Sequence, residues 1–150
     1  MARVCQCCEN GRVSEDAEVR AFIDGVTPEK RRRDAETMLA MMERITGEPP
    51  QLDRGIVYFG SYVVRYANDR EGESAPAAFA PRKRELVVYL SEGVDAHASR
   101  LARLGAHRPG TVCIYLTDLE KVDLAVLEEI VEASYRTLTT EGSTYRRHAR

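Results

Sequence analysis

Apolar residues recur at the spacing of a helix in four segments of the chain, with polar residues filling the opposite face. Ser14 and Asp123 precede two of these segments and are suitable N-terminal caps, because their side-chain oxygens can accept from free backbone N–H groups. Gly47 and Gly105 follow the other two and suit helix ends. Four helices are therefore predicted, over about 15–24, 28–46, 95–104 and 124–138.

From Gly55 onward the pattern changes to short runs rich in β-branched and aromatic residues, which are typical of strands. The predicted strands cover 56–59, 62–67, 77–80, 85–90 and 111–116. The polar segment 68–76 is interpreted as a hairpin loop. Because short links favour antiparallel pairing, we predict an α+β two-layer sandwich. It would have a mostly antiparallel sheet of about five strands, with helices packed on one face.

Length and charge narrow the class of protein. A chain of 150 residues with a formal charge of −2 is expected to form one domain, and it lacks the basic excess of a nucleic-acid binder. Its apolar runs are short for a membrane span, and its first residues do not resemble a secretory signal. We therefore expect a cytoplasmic protein without a membrane partner. Its single domain would cover 14–141, between a flexible cysteine-containing leader at 1–13 and a basic tail at 142–150.

Three of the four cysteines, Cys5, Cys7 and Cys8, lie close together in the predicted leader. Three thiolates can bind zinc or copper, but a closed tetrahedral zinc site needs a fourth ligand and no second cysteine pair follows. A leader that oxidises readily is the favoured interpretation, and a metal or redox cluster is the alternative.

The two most regular strands separate an aliphatic face from a face rich in tyrosine. Leu86 and Val88 share one side of their strand, and such residues suit packing against helices because they have no polar atom that needs a partner. The other side of the sheet, called here the open face, would point away from the main core. It would carry Val87, Tyr89, Cys113 and Tyr115, and also Tyr62, Val64 and Tyr66 if their strand joins the same sheet.

Basic residues on two turns would lie at the rim of this open face. An aromatic floor with a cationic rim suits a small anionic or carboxylate-bearing ligand. The candidate ligand-binding residues are Tyr66, Arg82, Lys83, Tyr89, His107, Arg108, Cys113 and Tyr115. Alternatively, the tyrosines pair across strands on a solvated surface, or the face is buried by a protein partner or in a homodimer.

An enzymatic alternative depends on two residues. His107 could act as a general base or metal ligand, although a histidine in a glycine-bounded turn also suits a helix cap. Cys113 fits a buried, inert thiol in mid-strand. It would become a nucleophile only if a cation such as His107 lowered its pKa.

The segments 79–83 and 104–110, each leading into a strand, resemble the YdhG-like family of small bacterial domains. That family has approximately Phe-Ser-Pro-Arg-Lys in the first segment and Leu-Gly-x-His-x-x-Gly-x-x-Cys-Leu-Tyr in the second. The likeness spans about 19–138, with Ala80 in place of the usual serine. Some members resemble frataxins and are regarded as iron chaperones, so the resemblance implies a frataxin-like fold and makes iron a candidate cargo.

The charges of the helices give little support to an iron site. Acidic residues between 29 and 36 are interrupted by the basic run 30–33, which would repel a cation, and this face is predicted to be mixed in charge and solvated. No cofactor is predicted from the residues themselves. The preferred hypothesis is a non-enzymatic binding protein for a small anionic ligand or a protein partner. The alternatives are a frataxin-like iron chaperone and an enzyme that uses His107 and Cys113.

Overall fold

The computed structural model describes residues 6–66, 70–140 and 145–147 and has an α+β fold, as predicted. The helices are α1 (Gln6–Asp24), α2 (Glu29–Thr46), α3 (Ala98–Leu104) and α4 (Leu124–Thr139), with 3-10 turns at Val94–His97 and Leu119–Lys121. Within the described ranges, none of the helices is long and apolar enough to cross a membrane.

Nine strands are described, and six of them form one antiparallel sheet in the order β1-β2-β5-β6-β8-β7. The strands are β1 (Pro50–Asp53), β2 (Ile56–Phe59), β3 (Tyr62–Tyr66), β4 (Glu71–Ser74), β5 (Ala77–Pro81), β6 (Leu86–Tyr89), β7 (Arg108–Pro109), β8 (Cys113–Leu116) and β9 (Tyr145–Arg147). The sheet therefore includes β1 and β7 at its edges, which were not predicted. Neither edge segment has the alternating apolar pattern of a half-buried strand.

The main core lies between the helices and one face of this sheet. Phe59, Phe79, Val88 and Ile114, from the four central strands, are fully buried on that face. They pack with the apolar stripes of α1, α2 and α4, as the absence of polar atoms in these side chains predicts. The opposite, open face carries a smaller cluster that includes Val87 and Cys113.

A second, small sheet has the order β4-β3-β9. Strand β4 lies in the segment that was predicted to be a loop, and β9 lies in the predicted basic tail. Tyr62 and Val64 of β3 pack against Leu138 of α4 instead of joining the open face. Tyr66 ends the same strand, so its backbone belongs to this second sheet and not to the six-stranded sheet.

Several helix ends follow the predicted signals. Gly47 ends α2 in the left-handed conformation, with φ of 65°, and its N–H donates to Glu43 O. The side chain of Asp123 caps α4 and accepts from two backbone N–H groups of the first turn. Helix α1, however, begins at Gln6 and not near residue 15, so it includes Cys7 and Cys8. Cys5 lies outside the described residues.

The basic run of α2 is not uniformly solvated. Arg31 is 4% exposed and Asp34 is 6% exposed, so the prediction of a solvated face is wrong for these two residues. The Arg31 guanidinium pairs with Asp34 Oδ2 at 3.0 Å and donates to the carbonyls of Arg84 and Thr117 at 3.1 Å each. This side chain therefore joins α2 to two chain segments at one end of the sheet.

Candidate functional site

One row of register partners crosses the open face of the six-stranded sheet. Gln51 of β1 pairs with Tyr58, Tyr58 with Ala78, Ala78 with Tyr89, and Tyr89 with Cys113 of β8. Side chains of directly paired residues emerge on the same face. The row consequently places a single methyl group, that of Ala78, between two tyrosines.

A groove of about 620 Å³ lies above this row. Tyr58, Ala78 and Tyr89 line it from the sheet, and Glu73 and Ser74 of the β3–β4 hairpin line it from the other side. The hairpin therefore forms a wall over part of the open face. A cavity of this size lies in the range of small-molecule sites. Its lining combines aromatic and small apolar residues with a larger number of polar side chains.

Among the side chains that the structure describes, Asp53 and Glu73 are the charged ones that line the groove. Both are exposed at its rim, and Asp53 has only a loose contact of 4.0 Å with the largely exposed Arg54. Gln51, Ser61 and the serines at 74 and 91 supply uncharged polar groups. The groove thus differs from the predicted anion site in the sign of its charge.

Three of the predicted site residues, Arg108, Cys113 and Tyr115, meet at the other edge of the open face. The Arg108 guanidinium lies 3.9 Å from the centre of the Tyr115 ring. It also forms two hydrogen bonds with the Glu85 carboxylate, at 2.8 and 3.4 Å, and the hydrogen bonding with Glu85 raises the pKa of Arg108. The Arg108 side chain is exposed, but its guanidinium is already paired with Glu85 and does not offer the free bidentate fork expected of an anion-binding arginine.

Cys113 is the buried member of this group, at 9% exposure. The interaction with the nearby Cys113 thiol is the main cause that raises the pKa of the Tyr115 phenol. Gly110 packs closely over both residues, since a Cβ there would lie 3.1 Å from Cys113 Sγ and 3.2 Å from the Tyr115 ring. These contacts describe a packed thiol, and they leave little room for a substrate beside it.

His107 lies beside this group but does not reach the thiol. Its Nδ1 is 2.8 Å from the carbonyl oxygen of Gly105, so a neutral imidazole donates from Nδ1 and keeps Nε2 as an acceptor. Gly110 N–H donates to Cys113 O, so Cys113 lies next to Gly110, which is three residues after His107. Three residues of extended chain span roughly 10 Å. The structure does not bring His107 and Cys113 together.

Arg82 and Lys83 lie exposed on the turn between β5 and β6. Arg82 reaches across to the β1–β2 turn, where a Cβ at Gly55 would lie 3.0 Å from Arg82 Nη1. Gly55 also has φ of 79°, so both its conformation and its contact with Arg82 favour glycine. Among the predicted site residues whose side chains are described, Tyr89 is the one that lines the groove.

A buried polar cluster on the opposite side of the sheet was not predicted from the sequence. Ser134 Oγ–H donates to Glu92 Oε2 at 2.6 Å, and Glu92 Oε1 contacts His97 Nε2. The side chains of Glu92 and His97 are 4% and 3% exposed, and His97 Nδ1 is buried without a hydrogen-bond partner among the described residues. The sequence signal for this cluster was Ser134, a polar residue within the apolar stripe of α4.

No protein-family model, curated protein or solved structure matches this chain. In residues 6–66, 70–140 and 145–147, no group of three or more His, Cys, Asp or Glu side chains is arranged to hold a metal ion.

Proposed function

We propose that this protein is a non-enzymatic binding protein that holds a small organic ligand in the groove on the open face. The observation that carries this proposal is the row Tyr58–Ala78–Tyr89 beneath a cavity of about 620 Å³. Two aromatic side chains on either side of a small residue leave contact surface that the protein itself does not fill. In this proposal the protein acts in the cytoplasm.

The groove is a better candidate ligand site than the basic rim, because two of the rim residues already contact other groups of the protein. Arg108 is occupied by Glu85 and the Tyr115 ring, and His107 Nδ1 by a backbone carbonyl. An anionic ligand or an acidic protein partner remains the second candidate. It is favoured by Arg82 and Lys83, which lie exposed on their turn.

The resemblance to YdhG-like domains carries an alternative proposal, a frataxin-like iron chaperone. What supports it is coarse: two helices precede an antiparallel sheet, a further helix follows, and helices cover one face. Iron would be the cargo, bound by carboxylates. Among the side chains described, Asp53 and Glu73 are two acidic residues that line the same cavity, which has a volume of about 620 Å³.

A thermal-shift screen tests these proposals together. The panel contains small amines, carboxylates and phosphates with ferrous and ferric iron, because a ligand that binds only the folded state raises the melting temperature. Wild type is compared with Ala78→Leu, which fills the groove, and with the double variant Arg82→Ala/His107→Ala. We expect an organic compound whose shift is lost in Ala78→Leu and kept in the rim variant.

Each of the other possible results would support a different site or function. A shift with an organic anion that disappears only in the rim variant would move the site to the basic turns and contradict the groove. A shift with iron alone, unaffected by either variant, would favour the iron chaperone. If nothing in the panel shifts the wild type and size-exclusion chromatography shows a dimer that Ala78→Leu disrupts, the open face is a subunit interface.

A further inference from the structure

The electrostatics of the groove limit the kind of ligand it can take. Asp53 and Glu73 are both carboxylates, and none of the other described residues that line the cavity is Lys or Arg. Two cations lie near Asp53: Arg54, whose side chain is 91% exposed and 4.0 Å from Asp53 at its closest, and Arg82, whose guanidinium reaches the β1–β2 turn at Gly55. Neither forms a short ion pair with Asp53 or Glu73 among the described contacts. A ligand that enters the groove therefore meets two carboxylates at its rim, which favour cations over anions.

The hydroxyl of Ser91 provides a second, independent indication of a ligand. Ser91 follows Tyr89 by two residues, is 8% exposed as a residue and lines the groove. Its Oγ makes no hydrogen bond with another described residue, and it is not among the buried atoms that lack a partner, so it opens onto the groove. A hydroxyl held in the wall of a cavity without a protein partner can bond to a polar group of a bound molecule.

The distance between Tyr58 and Tyr89 favours a bound ligand with a flat or compact shape. Tyr58 and Tyr89 are separated by two strand spacings, which is about 10 Å between their backbones. This is about twice the ~5 Å separation at which aromatic groups pack against each other. Tyr89 is also packed against the cluster of Ala80, Val87 and Cys113, so its position is fixed before a ligand arrives.

From these three features we infer that the groove binds an organic cation, an amine attached to a flat apolar body. This inference rests on the proposed function and names its ligand class. The apolar body contacts Tyr58, Tyr89 and the methyl of Ala78. The ammonium faces Asp53 and Glu73 and is stabilised by the tyrosine rings through cation–π attraction. Ser91 accepts a hydrogen bond from the same group or donates one to a polar substituent.

Three probes of nearly equal size and different charge test the ligand class: benzylamine, benzyl alcohol and benzoate. Their dissociation constants are measured by NMR titration of the folded protein, which suits weak binding. The variants are Asp53→Asn/Glu73→Gln, Ala78→Leu, and the control Glu36→Gln/Asp95→Asn. The control removes the same charge from exposed positions that do not line the groove.

Wild type should bind benzylamine more tightly than the other two probes. Asp53→Asn/Glu73→Gln should raise the Kd for benzylamine about three- to tenfold and leave that for benzyl alcohol unchanged, since exposed ion pairs contribute modestly. The Glu36/Asp95 control should leave all three constants unchanged, and high salt should weaken only benzylamine.

The results can reject the cationic ligand class without rejecting the groove as a binding site. If benzyl alcohol or benzoate binds as tightly as benzylamine, and Ala78→Leu abolishes that binding, the groove is a ligand site but the cation is wrong. If the groove and control variants weaken benzylamine equally, the preference comes from overall charge and the inference fails. If none of the probes binds the wild type, or Ala78→Leu leaves binding intact, both the inference and the groove site are rejected.

Discussion

The buried arginine of α2 gives the sharpest test of how this fold is held together. Arg31→Ala removes a guanidinium that pairs with Asp34 and donates to the carbonyls of Arg84 and Thr117. The same basic run supplies a matched control. Arg33, two residues later, is exposed, and none of the ion pairs among the described residues includes it. The two substitutions remove the same atoms from the same helix and differ in burial.

The expected magnitudes are well separated. Removing one member of a buried ion pair destabilises a protein by about 3–5 kcal/mol, because the remaining charge is left without compensation. The substitution also frees three carbonyls: those of Arg84 and Thr117, and that of Leu116, whose hydrogen bond is long at 3.5 Å. Water can reach the exposed Arg84 and Thr117, so their hydrogen bonds are not added in full. Arg31→Ala should therefore lower the free energy of unfolding by about 3–5 kcal/mol. Arg33→Ala should change it by less than about 0.5 kcal/mol.

Urea denaturation followed by far-ultraviolet circular dichroism measures both values. A pure loss of stability shifts the midpoint and leaves the slope unchanged. The pH dependence adds a second readout. Burial raises the pKa of Asp34 and the neighbouring Arg31 lowers it, so the pKa of Asp34 should rise further in Arg31→Ala. A raised folded-state pKa destabilises the ionised protein at pH 7, and protonation relieves this effect as the pH falls toward the folded pKa.

The deficit of Arg31→Ala relative to wild type should therefore be larger at pH 7 than near pH 4.5. Equal losses for Arg31→Ala and Arg33→Ala would refute the assignment of Arg31 as a buried link. A large loss that did not change with pH would leave the backbone bonds as the cause and contradict the role given to Asp34.

Three further substitutions test individual contacts. Asp118→Asn should lower the melting temperature at pH 7, because a hydrogen bond from Lys30 lowers the pKa of the Asp118 carboxyl. The difference from wild type should shrink below about pH 4, where the carboxyl is protonated in the unfolded chain. Ser134→Ala should lower the free energy of unfolding by about 1–3 kcal/mol in urea titrations, since buried Glu92 loses a donor; a loss under about 0.5 kcal/mol would contradict this contact. Asp123→Ala should destabilise by about 1 kcal/mol through the lost helix cap, and Asp123→Ser should retain most of the stability.

The class of fold could be predicted because local patterns match the final structure in most elements. Leu86 and Val88 face the helices and Val87 and Tyr89 face the other side, as alternation predicts. Strands β1 and β4 could not be predicted in this way. β1 lies at the edge of its sheet, and β4 pairs with β3 and with no other of the described strands, so neither needs an alternating apolar pattern.

The site was predicted less well because it depends on residues that are far apart in the chain. The groove needs β2 and β5 to be neighbours and the β3–β4 hairpin to fold over them, and no local pattern encodes either condition. Burial of Arg31 has the same origin, since its acceptors lie 53 and 86 residues away. Adjacent arginines with similar sequence surroundings therefore have different environments.

The place of the β3–β4 hairpin in the chain has a consequence for how this protein can change. Phe59 of β2 pairs directly with Ala77 of β5, so the chain leaves the sheet and returns to the neighbouring position after residues 60–76. A short turn could connect the same two strands without altering the register of any other pair. Loop length affects closure entropy only weakly, so the main losses would be the cluster around Leu138, the partner strand of β9 and one wall of the groove. The hairpin is thus an exchangeable module, and replacing it would give the same six-stranded scaffold a different recognition surface.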